Sequence, residues 1–150
     1  MTAVQAILGF GVTGKSVARH LSRNGEPFKV FDTRSEQPLP EEFRGLEVNW
    51  QIGHWPAVQL REHLSDVSRL IVSPGVRLDL DLLLTARALG LPIVSDIDLF
   101  FEATTAPVIG VTGTNGKSTV VSLVGHICRG LGEECGVGGN IGLAALDLLI

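Results

Sequence analysis

The stretch Val4–Ser16 reads Val-Gln-Ala-Ile-Leu-Gly-Phe-Gly-Val-Thr-Gly-Lys-Ser and decides the fold. An apolar run ends at Gly9, and Gly11 and Gly14 complete a GxGxxG spacing, which predicts a buried strand, a tight turn and a helix. In this pattern the first glycine permits the turn, the second lets the backbone approach a phosphate, and the third lets the helix pack on the strand. The helix N-terminus would then offer free amides and a positive dipole to an anion.

A second glycine-rich loop, Gly113–Thr119, reads Gly-Thr-Asn-Gly-Lys-Ser-Thr and follows the apolar run 107–112. It departs from the full P-loop pattern, because Val111 stands where that pattern has its first glycine. The chemistry is nevertheless retained. Backbone amides can line the phosphates of a nucleotide, Lys117 supplies a positive charge, and the Ser118 hydroxyl can ligate Mg²⁺. An ordinary turn with a solvated lysine is the alternative interpretation.

Strand-like and helix-like segments alternate along the chain, which predicts a parallel sheet covered by helices. The fold class is therefore α/β: a Rossmann-like parallel-sheet domain over residues 1–95, then the first units of a P-loop ATPase-type domain over residues 96–150. The predicted strands are 4–8, 28–31, 47–52, 70–72, 92–94, 107–112 and 134–137. The predicted helices are 14–24, 58–64, 79–89, 96–103 and 119–131, with one more after the glycine cluster 138–142.

Bulk composition excludes several classes of protein. The 150 residues are 45% hydrophobic with a formal net charge of -4 and no basic run, so a nucleic-acid partner is not expected. No segment reaches the ~18 apolar residues of a membrane helix, and the N-terminus lacks the basic region of a signal peptide. The isolated Cys128 and Cys135 fit a reducing compartment. We therefore expect a cytoplasmic protein without membrane insertion.

Asp32 ends the second predicted strand and follows Gly14 by 18 residues. This is near the ~20-residue offset at which an acidic residue binds the ribose of a dinucleotide. Taken alone, the first loop therefore indicates an NAD site. The alternative is that its glycines serve only the packing of helix on strand.

Six short motifs together resemble those of the Mur ligases, in the same order and over nearly the whole chain. Between residues 35 and 68 the motifs are weaker. The six are Gly9–Ser16, Asp32–Arg34, Ser73–Gly75, Ser95–Phe100, Gly113–Thr119 and Gly138–Gly142. Within the family they are most similar to the enzyme that adds D-glutamate to UDP-N-acetylmuramoyl-L-alanine.

The resemblance implies that the first domain binds the UDP end of a sugar–peptide substrate rather than a dinucleotide. The implied substrate-binding residues are Gly11, Val12, Thr13, Asp32, Thr33, Arg34, Gly75 and Asn140. The implied ATP-binding residues are Gly113, Thr114, Asn115, Gly116, Lys117, Ser118 and Thr119. Lys117 and Ser118 would be catalytic, and Ser118 would be the metal ligand.

The activity implied by the resemblance is ATP-dependent amide-bond formation with ATP and Mg²⁺. ATP would convert the alanine carboxylate into an acyl phosphate, and the amine of D-glutamate would displace the phosphate. The family's later metal-binding glutamate, its modified lysine and its D-glutamate-binding domain would all fall beyond Ile150. We therefore expect the front part of a monomeric ligase, which is inactive by itself.

Three alternatives stay open at this point. An NAD(P)-dependent dehydrogenase would explain residues 1–34 but leave Gly113–Thr119 without a role. A non-catalytic nucleotide-binding module would explain why no later strand ends in an acidic metal ligand. A sister ligase that adds L-alanine shares the general plan, although Asp32–Arg34 and the second loop fit the D-glutamate enzyme better.

Overall fold

The computed structural model describes residues 4–46 and 48–149. Its strands are β1 (Val4–Leu8), β2 (Phe28–Asp32), β3 (Asn49–Ile52), β4 (Val67–Val72) and β5 (Ile93–Val94). Its α-helices are α1 (Val12–Arg23), α2 (Ala57–His63), α3 (Asp81–Ala88), α4 (Asp96–Ala103) and α5 (Lys117–Gly130). Two short 3-10 helices cover Glu41–Phe43 and Ala145–Leu148; the second is called the C-terminal 3-10 helix below.

The five strands form one parallel sheet in the order β3-β2-β1-β4-β5, which confirms the predicted fold class. The central strand β1 is buried on both faces. Ala6 and Leu8 contribute to a core with α2 and α3, whereas Ile7 contributes to a second core with α1 and α4. This explains why β1 is apolar at every position except Gln5, rather than alternating between apolar and polar residues.

Most predicted elements of the first domain are confirmed. The minor strand predicted over 47–52 is β3, although its first residue, Glu47, lies outside the described residues. The segment 33–44, predicted as a loop, contains the short 3-10 helix Glu41–Phe43, because the Phe43 side chain is buried against Phe10 and Phe28. Asp96–Ala103 is helical as expected, with Ser95 and Asp98 forming a capping box.

Two of the strands predicted within residues 96–150 are wrong. Residues 107–112 and 134–137 belong to no strand, and the side chains of Val108 and Ile109 are exposed. A strand is stabilised by its neighbours, and no other strand pairs with these segments in the described part of the chain. The helix predicted after Gly142 is present only as the C-terminal 3-10 helix.

Most residues from 105 to 143 are exposed to solvent, whereas 144–146 are buried. Gly125 is the buried residue of α5, and a Cβ there would lie 2.3 Å from Val137 Cγ2, so this glycine allows close approach of the returning chain. Leu146 of the C-terminal 3-10 helix is instead fully buried in the core of the first domain. The predicted division at residues 95 and 96 stays a prediction, and Leu99 of α4 also packs into that core.

None of the helices in the described ranges combines the length and the apolar composition needed to cross a bilayer.

Candidate functional site

The loop between β1 and α1 depends on two of its glycines for packing. Gly9 has a φ of +88° and donates its amide to Phe31 O at 2.8 Å. A Cβ on Gly14 would lie 2.0 Å from the carbonyl oxygen of Gly9, so only glycine fits there. Gly11 differs, because a Cβ there would meet no atom of the described residues within 4 Å and its φ is -80°. Packing of the described residues therefore requires glycine at positions 9 and 14, but not at position 11, where the backbone is accessible to a ligand.

The N-terminus of α1 is open to solvent. Gly11 is the N-cap residue, no side chain among residues 4–46 and 48–149 caps the helix, and the sequence of its first turn has no acidic residue. Lys15 donates the first intrahelical hydrogen bond, to Gly11 O at 3.0 Å, so the preceding amides of the turn have no intrahelical acceptor. The Val12 side chain is 74% exposed at this end. Such a helix end attracts an anion by its amides and its dipole.

Asp32 is turned inward, toward the loop after β1. Its Oδ2 accepts hydrogen bonds from Phe10 N at 2.6 Å and from Arg34 Nη2 at 2.7 Å. Its Oδ1 accepts hydrogen bonds from Arg34 N and Arg34 Nε, both at 2.9 Å. The Asp32 side chain is only 3% exposed. The carboxylate therefore ties the end of β2 to the loop after β1 and holds the Arg34 guanidinium.

These hydrogen bonds also determine the charge state of Asp32. Burial by itself raises the pKa of the carboxyl, but the bonds from the Arg34 side chain, the Arg34 amide and the Phe10 amide favour the carboxylate. The net result is a pKa below the ordinary value, so Asp32 stays ionised at neutral pH.

The end of β4 joins the same site. The Ser73 hydroxyl donates to Gly9 O at 2.8 Å, and Val76 N donates to Ser73 O at 3.1 Å, which forms the predicted turn around Gly75. Gly75 itself is exposed. The chain order reverses between β1 and β4, and crevices at such a switch point are where open α/β sheets bind ligands. The three predicted loops after β1, β2 and β4 therefore form one surface.

A small cavity of about 140 Å³ lies beside this surface. Thr33 lines it together with residues that the sequence analysis did not select, among them Gly53, His54 and Trp55. Gly53 donates its amide to Asp32 O at 2.8 Å, so the loop after β3 is fixed to the end of β2. The signal that could have found these residues is their position directly after a strand of the parallel sheet.

The second glycine loop leads directly into the N-terminus of α5. Gly113 and Gly116 have φ values of +150° and +76°, and Gly116 is the N-cap residue of α5. Lys117 Nζ donates to the carbonyl oxygens of Gly113, at short range, and Thr114, at 3.3 Å. The Lys117 ammonium therefore lies against the carbonyl oxygens of its own loop. The backbone amides in the first turn of α5 have no intrahelical acceptor.

The residues present fit phosphate better than they fit a complete metal site. Ser118 and Thr119 are exposed in the first turn of α5, where a hydroxyl can reach a cation bound to phosphates. The described residues contain no group of three or more His, Cys, Asp or Glu side chains that could hold a metal ion. Mg²⁺ is commonly held by few protein ligands together with phosphate and water, and Ser118 can provide one such ligand.

Asn140 lies exposed at the tip of the third glycine cluster. A bridge between Gly138 and Leu143, with Gly139 N donating to Leu143 O at 2.8 Å, closes the loop around it. Within the described ranges, no hydrogen bond joins this loop or the Lys117 loop to the surface around Asp32. The structure brings together the predicted residues of the first domain, while the roles of Lys117, Ser118 and Asn140 stay predictions.

Comparison with known proteins assigns the family. The family described as Mur ligase MurD-like, N-terminal domain, matches residues 3–95. The chain belongs to the MurD-like Mur ligases. This MurD-like chain is 41% identical over 148 residues to the UDP-N-acetylmuramoylalanine--D-glutamate ligase of Psychrobacter arcticus, with 99% of the chain and 30% of that enzyme covered. The enzyme of the same name from Aliivibrio salmonicida is 43% identical, with 95% and 32% covered.

Solved structures agree with the fold of the MurD-like chain. The UDP-N-acetylmuramate:L-alanyl-gamma-D-glutamyl-meso-diaminopimelate ligase from Neisseria meningitides aligns with a TM-score of 0.58 at 22% identity, covering 96% of this chain and 46% of that one. A murein peptide ligase from Psychrobacter arcticus aligns with a TM-score of 0.57 at 20% identity, covering 87% and 27%. The MurD-like chain spans only 30–32% of the length of its curated relatives in Psychrobacter and Aliivibrio.

Proposed function

We propose that the MurD-like chain is the N-terminal part of an ATP-dependent ligase that adds D-glutamate to UDP-N-acetylmuramoyl-L-alanine. The observation that carries the proposal is the open N-terminus of α1, where Gly11 faces empty space. Nothing in the packing of the fold requires glycine there, whereas a phosphate that approaches the backbone does. The relatives that cover most of the chain are named for this ligase activity.

In the proposed complex, the pyrophosphate of the UDP-linked substrate lies against the amides of Val12 and Thr13. Thr33, Arg34 and Gly75 line the uridine end, because the loops that carry them adjoin the same edge of the sheet. Asp32 is a positioning residue, since its carboxylate contacts Phe10 and Arg34 rather than open space.

Lys117 and Ser118 serve ATP in the proposed function. Binding of a phosphate would release Lys117 Nζ from the loop carbonyls and place its charge on the transferring group. The Ser118 hydroxyl would provide one ligand to Mg²⁺, and Asn140 would contact the muramoyl-alanine portion. ATP would transfer its γ-phosphoryl group to the alanine carboxylate, which gives an acyl phosphate and releases ADP. The D-glutamate amine would then attack the carbonyl carbon, and the amide would form as inorganic phosphate and a proton leave.

The geometry of Asp32 gives less support to an NAD site. A carboxylate has about four acceptor positions, and the Asp32 carboxylate already accepts four hydrogen bonds from Phe10 and Arg34. A ribose would have to displace one of these donors. The Gly113–Thr119 loop also has a role in the ligase and none in a dehydrogenase.

We propose further that the ligase acts in the cytoplasm as a monomer, with ATP, D-glutamate and the UDP-linked precursor as its small-molecule substrates. The proposed reaction involves neither a nucleic acid nor insertion into a membrane.

Calorimetric titration tests the UDP site directly. The chain is titrated with UDP-N-acetylmuramoyl-L-alanine, with UDP and with NAD⁺, and a Gly11→Val variant is the matched control because the added side chain fills the space before α1. Heat of binding for the two uridine ligands, lost in Gly11→Val and absent for NAD⁺, supports the proposal. Binding of NAD⁺ alone would return the first domain to the dehydrogenase interpretation.

A further inference from the structure

The C-terminal 3-10 helix packs into the core of the first domain, although it follows the second glycine loop and α5 in the chain. Its Leu146 is 0% exposed and packs in the core that contains Val17 and Leu21 of α1 and Leu99 of α4. The opposite face of this 3-10 helix contacts the segment that follows α5. Leu148 Cδ2 lies 3.4 Å from the position that a Cβ of Gly136 would take.

A bidentate ion pair secures this docking. Arg19 Nε donates to Asp147 Oδ1 at 3.0 Å, and Arg19 Nη2 donates to Asp147 Oδ2 at 2.6 Å. The Arg19 side chain is 33% exposed and the Asp147 side chain 17%, so solvent screens the pair less than a surface pair. Arg23 adds a hydrogen bond from Nη2 to Leu146 O at 3.3 Å. The guanidinium–carboxylate fork fixes orientation as well as distance.

The segment 105–142 is therefore attached to the first domain at two neighbouring points. It leaves after α4 and returns at the C-terminal 3-10 helix, and these two elements contact each other and α1. In the described part of the chain, the hydrogen bonds made by residues 105–142 stay within residues 104–143. With α4 as the only attachment, the segment could swing about one linker. With both attachments, the movement of the segment relative to α1 is restricted at each of its ends.

We propose that Arg19 and Asp147 are positioning residues that clamp the segment with the Lys117 loop to α1, the helix whose N-terminus receives the UDP-linked phosphates. The clamp itself follows from the docking geometry. Its consequence for turnover rests on the proposed function, because two reacting groups held on separate parts of a chain must be kept in register.

A distance measurement between two spin labels tests the clamp without any ligand. One label replaces Val58 on α2, which is 87% exposed, and the other replaces Leu131 after α5, which is 76% exposed, in a background with Cys128→Ser and Cys135→Ser. The parent is expected to give one narrow distance distribution. Arg19→Ala and Asp147→Asn should broaden it, and Asp147→Glu, which keeps the carboxylate, should narrow it again. The control is Arg44→Ala, which removes an exposed pair with Glu41.

An unchanged distribution in both Arg19→Ala and Asp147→Asn would overturn the clamp. Activity of the full-length enzyme then tests its role in turnover. Asp147→Asn is expected to lower kcat about tenfold, while KM for the UDP-linked substrate stays within about twofold. Broadened distances with an unchanged kcat would overturn the positioning role. A parent enzyme without ligase activity would contradict the proposed function, and the distances would still decide the clamp.

Discussion

Asp32 Oδ2 lies 2.6 Å from the backbone nitrogen of Phe10, so the last residue of β2 holds the loop that follows β1. The same carboxylate binds the side chain and amide of Arg34. An acidic residue at this position of a GxGxxG fold can bind a ribose, but here it holds the protein's own backbone. We therefore propose that Asp32 acts on a ligand indirectly, through the shape of the loop.

Replacing Asp32 should cost both stability and affinity. Asp32→Ala leaves the Phe10 amide and the Arg34 guanidinium without their acceptor, and hydrogen bonds to charged groups are each worth about 1.5–3 kcal/mol. We expect a loss of about 2 kcal/mol in the free energy of unfolding in urea, together with weaker UDP binding. Asp79→Ala, which removes an exposed pair with Arg77, is the control. Normal stability with lost UDP binding would instead indicate direct contact between Asp32 and the ligand.

The glycines of the first loop should separate folding from binding. Gly14→Ala forces a Cβ to 2.0 Å from Gly9 O and should destabilise the chain by about 3 kcal/mol, as overpacking does. Gly11→Ala places its Cβ in open space and should leave the thermal midpoint within about 2 °C of the parent. Calorimetry should show weaker UDP binding for Gly11→Ala. Unaltered UDP affinity would remove the phosphate from this helix end.

Replacing Lys117 should impair the use of ATP without changing affinity for the UDP-linked substrate. The hydrogen bonds of its ammonium to the described residues are to carbonyl oxygens of its own loop, so Lys117→Ala should change the free energy of unfolding by less than about 0.5 kcal/mol. In the full-length enzyme, turnover should fall by at least about a hundredfold, while affinity for the UDP-linked substrate is unchanged. Arg87→Ala, at an exposed position of α3 outside both glycine loops, is the control for loss of a positive charge. Equal loss of both functions would contradict the assignment.

Stability should depend on pH in opposite directions at two buried acids. The pKa of Asp32 is lowered in the fold, so its contribution is present above the unfolded pKa of about 3.9 and is lost as the pH falls through the folded value. Burial raises the pKa of Asp96. The folded state of the protein is therefore more stable when Asp96 is protonated than when Asp96 is ionised at higher pH. Asp96→Asn should therefore raise the free energy of unfolding at pH 7, and the gain should shrink on acidification. A gain of equal size at pH 3 and 7 would show that charge is not the cause.

Leu146 should behave as a core residue of the first domain. Leu146→Ala leaves a cavity between α1 and α4 and should cost about 2–4 kcal/mol in urea unfolding monitored by Trp50 and Trp55 fluorescence. Leu143→Ala, at a position 56% exposed, should cost less than about 0.5 kcal/mol. A tryptophan signal that is insensitive to Leu146→Ala would show that the docking contributes nothing to the sheet domain.

Sequence analysis succeeded where the signal is local. The strands and helices of residues 4–103 were predicted because apolar periodicity and glycine turns lie within a few residues of the structure they produce. It failed for the strand at 107–112, since strand formation depends on a partner that composition cannot reveal. It also missed His54 and Trp55, which reach the site only because β3 pairs with β2.

The sequence by itself determined the α/β class, the family and the positions of both glycine-rich loops, because glycine spacing and apolar runs are set by neighbouring residues. Tertiary structure alone decided where Asp32 points and what Asp147 binds. Their partners Phe10 and Arg19 are 22 and 128 residues distant along the chain. Such contacts depend on the packing of whole strands and helices, so no local pattern specifies them.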